Sequence, residues 1–147
     1  MRTTQVVPTA SDEEIGRIAQ RWLERREAEE RTKDEEARRV AMARARRADF
    51  MRDVIERPLG EVVDRLSKKG LTGKVESQGD RVTTATVEEK SFSVVVAFDD
   101  GAPISIRFDR SESANGPVSS DIRKDPREKV AEMVEREFVD FLKHVLR

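Results

Sequence analysis

Residues 91–109 read SFSVVVAFDDGAPISIRFD. Phe92, Val94, Val96 and Phe98 alternate with Ser93, Val95 and Ala97, and Ile104, Ile106 and Phe108 alternate with Ser105, Arg107 and Asp109. Side chains that alternate with period two stand on opposite faces of a strand, so this stretch is two strands. The intervening DDGAP is turn chemistry, with Gly101 available for positive φ. Two registers compete. A two-residue Asp100-Gly101 loop would set Ala97 opposite Ile104 and send the two large apolar sets to opposite faces. A three-residue loop, Asp100 to Ala102, sets Phe98 opposite Ile104 and Val96 opposite Ile106. Only the second buries one face, so it is the predicted register.

Before these strands, RVTTATV (81–87) reads as a further strand that turns at Glu89-Lys90, and GKVES (73–77) as a short edge strand that turns at Gln78-Gly79-Asp80. Residues 110–124 read as loop. Asp125-Pro126-Arg127-Glu128 then has a helix cap, a proline at the first helical position and an acid at the third. Val130, Met133, Val134, Phe138, Phe141, Leu142, Val145 and Leu146 give that helix an apolar face. On the other side of the strands, Phe50, Met51, Val54, Ile55, Leu59, Val62, Val63 and Leu66 recur at helical spacing. Pro58 lies inside this stripe and predicts a kink or a new helix start. Gly70 is the expected C-terminal cap.

Residues 1–10 have no period and read as a disordered tail. Ser11, followed by Glu14, is a capping box. Ile15, Ile18, Ala19, Trp22 and Leu23 then form one short apolar stripe. It stops at ERREAEERTKDEE (24–36), which carries seven acids against four bases. Good helix formers and opposite charges three and four apart keep such a segment helical in water. Thr32 with Glu35 could cap a fresh helix, which allows a break there. The expected fold is α+β: a long interrupted N-terminal helix, a three- to four-stranded antiparallel meander, and a C-terminal helix packed on one sheet face. The expected division is a tail (1–10), a charged helical arm (11–57) and an α+β domain (58–147).

Composition excludes much chemistry. Of the 147 residues, 40% are charged and 36% apolar, so part of the chain must stay outside any core. With no cysteine there are no disulfides, thiolate nucleophiles or cysteine zinc sites. No run approaches a membrane span, and MRTTQVVPTASDEE has no apolar core of a secretory signal. The expectation is a soluble cytoplasmic protein that does not act at a membrane. Arginine outnumbers lysine 21 to 8, as it often does in GC-rich prokaryotic or phage genomes. His144, the only histidine, reads as a surface residue near the end of the last helix. Glu88-x-Lys90, with Asp80 upstream, resembles the acid and Glu-x-Lys elements of restriction-type nucleases, but a charged hairpin turn explains it. Asp99-Asp100-Gly101 lacks the remaining ligands of a calcium loop. No phosphate loop, nucleophile elbow or zinc helix motif is present. The sequence therefore predicts no enzyme, no cofactor and no metal site.

The charged helix carries what functional signal there is. RRVAMARARRADFMR (38–52) holds Arg38, Arg39, Arg44, Arg46, Arg47 and Arg52, with no acid before Asp49. At 100° per residue the arginines surround the helix, and Arg44 and Arg47 fall inside the arc of Phe50, Met51, Val54 and Ile55. That predicts a segment that leaves the core before about residue 49. Its first reading is a protein-binding or assembly element anchored by Ile15, Ile18, Trp22 and Leu23, whose spacing suits helix-in-groove recognition by another protein or by a second copy. Its alternative is a phosphate grip on nucleic acid through the six arginines, as basic helices use.

Overall fold

The computed structural model describes residues 11–110 and 116–147; the expected tail at 1–10 lies outside them. Helix α1 spans Asp12–Phe50, a π-helical segment spans Met51–Glu56, and α2 spans Arg57–Lys68. Five strands follow: β1 Gly73–Gln78, β2 Val82–Val87, β3 Lys90–Asp99, β4 Ala102–Arg110 and β5 Val118–Asp121. Helix α3, Arg127–Val145, closes the chain. The strands form one antiparallel sheet in the order β1-β2-β3-β4-β5. The fold is α+β, as expected, with five strands instead of three to four.

The extra strand is β5, inside the stretch expected to be loop. Its VSSD has no apolar alternation to betray it. It is recruited by backbone pairing to β4, and Ile122 follows it into the core at 1% exposure. Its amide donates to the carbonyl of Ile104.

At the tip of the β3–β4 hairpin both competing registers occur together. Asp99 pairs with Ala102 across a two-residue Asp100-Gly101 loop, while Val96 pairs with Ile106 as expected. A register shift at Ala97/Phe98 makes the two compatible: one extra residue on β4, Ile104, bulges out of the ladder. The positive φ falls on Asp100, at 53°, and not on Gly101. Gly101 is needed for another reason. A Cβ there would lie 2.9 Å from Arg46 Cβ and 3.3 Å from Ala43 Cα, so the hairpin tip rests directly on α1. The β2–β3 turn sits one residue earlier than expected, on Glu88 and Glu89, both at positive φ.

The helical stretch is uninterrupted at Thr32, whose hydroxyl donates back to the Ala28 carbonyl instead of capping a new helix. Pro58 produces the expected irregularity as a widened turn. The Arg57 amide reaches the Arg52 carbonyl five residues back, which opens the helix ahead of the proline ring and leaves Pro58 in the first turn of α2. The α2 helix ends as expected. Gly70 has φ 96°, its amide bonds to the Ser67 carbonyl and the Leu71 amide to that of Leu66, a Schellman cap. At α3, Pro126 itself is the N-cap, and Asp125 pairs instead with Lys129 at 3.2 Å.

Two compact units divide the chain, Met1–Arg39 and Val40–Arg147. The second takes in the turns from Val40 to Arg57 that the sequence reading gave to the arm. Ala43, Phe50, Met51, Val54 and Ile55 are buried there with Leu59, Val62 and Val63 of α2. Phe92, Val94, Val96, Ile106 and Phe108 face them from the sheet, and Val130, Val134, Phe138 and Phe141 complete the core from α3. Phe92 is the hub: its ring lies 5.8, 5.3 and 5.5 Å from those of Phe108, Phe138 and Phe141.

Candidate interaction surface

The first unit, among its described residues, is one stretch of helix. Ser11 caps it through its hydroxyl, which accepts from the Glu14 amide at 3.2 Å. Every residue from 11 to 39 is exposed. Arg17 pairs with Glu13, Arg26 with Glu30 and Arg39 with Glu36, and Gln20 donates to Glu24. Such pairs add about 0.2–0.5 kcal/mol each, so they support a solvated helix without fixing it strongly.

On this charged rod Ile15, Ile18, Trp22 and Leu23 stand 52%, 66%, 57% and 51% exposed. They share neighbouring faces through their three- and four-residue spacing. Arg26 lies over the Trp22 ring, 5.4 Å from its centroid. Two further large apolar residues of α1, Val40 and Met42, are also exposed. Neither was named as a candidate from the sequence; Val40 is 25 residues from Ile15 along α1, close to seven helical turns.

The six arginines divide. Arg39 is tied to Glu36, and Arg52 to Asp49 at 2.9 Å and to Asp53 at 3.2 Å. Arg47 departs furthest from expectation. Its side chain is 14% exposed, its Nε donates to Asp80 at 2.8 Å and its Nη1 to the Asp100 carbonyl at 2.8 Å. The helix at Arg47 therefore packs on the domain, contrary to the prediction that it leaves before residue 49. The guanidinium is tolerated on the packed face because two turns of the sheet supply its acceptors. Arg38, Arg44 and Arg46 form no ion pair among the described residues.

Ion pairing also shapes the carboxylates. The hydrogen bond from Arg47 holds Asp80 below the usual carboxylate range, and that from Arg52 does the same to Asp53. Arg123 pulls Asp121 down to about 2. Asp80, Glu88 and Lys90, the nuclease-like trio, are parted by their roles. Asp80 serves Arg47, while the Glu88 carboxylate accepts from the Thr72 amide at 2.8 Å. No cluster of three or more metal-ligating side chains occurs among the described residues. No helix among them is long and apolar enough to cross a membrane.

No protein-family model, curated protein or solved structure matches the chain.

Proposed function

We propose that this chain is a non-enzymatic protein-binding or assembly module whose binding element is the N-terminal part of α1. The observation that carries the reading is the exposure of Ile15, Ile18, Trp22 and Leu23, each more than half accessible on a helix otherwise made of charge. Burying a large apolar side chain fully is worth about 1.5–3 kcal/mol. Four half-buried ones still offer roughly 3–6 kcal/mol by the same measure. Part of that is spent on association and ordering, so the expected affinity is modest and centred on Trp22.

Replacing Ile18 and Trp22 together with Glu in the full chain tests it. Both are exposed, so the melting temperature should stay unchanged. Sedimentation mass, and photo-crosslinked adducts from a probe at Leu23, should both fall to those of an isolated chain. Identical mass and adducts in the variant and the parent would sink the proposal.

The rival is a phosphate grip. Six contacts would give a slope of log K against log salt of about −5 on duplex DNA, at roughly −0.9 each. With Arg39, Arg47 and Arg52 already engaged by carboxylates, Arg38, Arg44 and Arg46 support a slope of only about −3. A filter-binding titration at two salt concentrations separates the two: retained complex with the steeper slope would favour the arginines over the apolar stripe.

A further inference from the structure

Helical spacing along α1 places Ile15, Trp22, Glu29 and Glu36 in one row and Ala19, Arg26, Lys33 and Val40 in the row beside it. The rows alternate by three and four residues, which is the a/d seam of a coiled coil: Ala19, Arg26, Lys33 and Val40 at a, the others at d. All eight residues are exposed. The chemistry of the rows differs. Every charged residue at a is basic, and every charged residue at d is acidic.

That asymmetry selects a partner and an orientation. In a parallel, in-register pair a meets a and d meets d. Arg26, Lys33, Glu29 and Glu36 would each face their own copy, four like-charge contacts in one seam. In an antiparallel pair a meets d. With the two-fold axis between residues 27 and 28, Arg26 faces Glu29 of the second copy, Lys33 faces Trp22, Val40 faces Ile15 and Ala19 faces Glu36. Each basic seam residue thus gains an acid or an aromatic face, and the apolar residues at the two ends of the seam cover one another. The like-charged positions of the same register, Arg17 opposite Arg38 and Glu27 near its own copy, lie off the seam.

From this complementarity we infer that the occupant of the α1 stripe is a second copy of the same chain, held antiparallel over residues 15–40. The inference rests on the binding role proposed for the stripe and names its partner. The seam is about 39 Å long at 1.5 Å per residue. Its centre is charged, so specificity comes from Arg26 and Glu29 and adhesion from its two ends.

The chain has no cysteine, so disulfide trapping reads only introduced pairs. A full-length Ala19→Cys chain mixed with a full-length Glu36→Cys chain should give a mixed disulfide dimer under mild oxidation. Ala19→Cys alone should not, because its two copies would stand about 26 Å apart along the seam at 1.5 Å per residue. Arg26→Glu should weaken self-association by about tenfold or more, the equivalent of 1.4 kcal/mol. Adding Glu29→Arg to it should restore the parent value. A chain monomeric throughout with no mixed disulfide, a dominant Ala19→Cys homodimer, or no rescue by the double swap would overturn the antiparallel pair. If the chain is monomeric while the Leu23 probe still labels a different protein, and loses it in the Ile18/Trp22 variant, self-pairing fails and the broader binding role stands.

Discussion

Arg47 marks how far a helical wheel reaches. Its position on the apolar arc was legible in the sequence; its meaning was not, because the acceptors are 33 and 53 residues away on two turns. Nothing local to RRVAMARARR specifies Asp80 or the Asp100 carbonyl. Arg47→Ala should cost about 1–2 kcal/mol, the lower part of the range for charge-assisted hydrogen bonds, because Asp80 is partly solvated. The pair also fixes a pH dependence. Asp80 titrates below its unfolded value, so its contribution is complete above about pH 4 and fades as pH falls through the folded pKa. Acid titration of the urea midpoint should therefore be shallower in Arg47→Ala than in the parent; equal slopes would remove Asp80 from the account. Glu88 and Glu89 offer an opposite case. Both occupy positive φ, at 48° and 67°, where a side chain is disfavoured and Asn-Gly is the usual choice. Both are exposed, and the Glu88 carboxylate is held by the bond it accepts from the Thr72 amide. Glu89→Gly should raise stability by about 1 kcal/mol, read as a higher denaturant midpoint with unchanged m.

At the scale of elements, periodicity was a good guide wherever one face is buried and a poor one at the edges. β3, β4, α2 and α3 bury the middle of the sets their patterns nominated, while Phe98, Ile104, Leu66, Met133, Val145 and Leu146 at the ends are only partly buried. β5 escaped because an edge strand pairs on one side only and needs no apolar face. The hairpin tip escaped because turn chemistry favoured two residues and the core favoured three; a bulge at Ile104 satisfies both, and no rule weighed separately could have chosen it. Pro58 was legible as a disturbance, but the form of the disturbance depends on burial. Met51, Val54 and Ile55 are committed to the core before it and Leu59 after it, so a widened turn that keeps all four inward is favoured over a break. The sheet and α3 meet through Phe92, whose ring touches three others. Phe92→Ala should cost about 3–5 kcal/mol, the range for a buried aromatic cavity. If urea melts place that loss below 2 kcal/mol, the sheet–helix layer is held by something other than this cluster.

For the whole molecule, a chain with 40% charge has to leave much of itself in water, and it does so unevenly. All 21 buried apolar residues among those described lie between Ala43 and Leu142, inside the unit Val40–Arg147. The unit Met1–Arg39 has none among its described residues. Composition made that division legible, but its position could not be read from it, since the arginines of 38–47 disguise the turn where burial begins. The consequence is a difference in local stability. Isolated helices without a packed face are marginal in water, whereas core amides open only with global unfolding. Amide exchange at residues 16–39 of a dilute sample should therefore be fast, and protection should begin within about two turns of Ala43. If the stripe of α1 is covered by a second copy, concentrating the sample should slow exchange at residues 16–39 while the amides of α2 and β3 keep their rates. A concentration-independent, well-protected helix over 16–39 would mean that the segment needs neither partner nor core, and would remove the physical reason for reading Ile15, Ile18, Trp22 and Leu23 as a binding face.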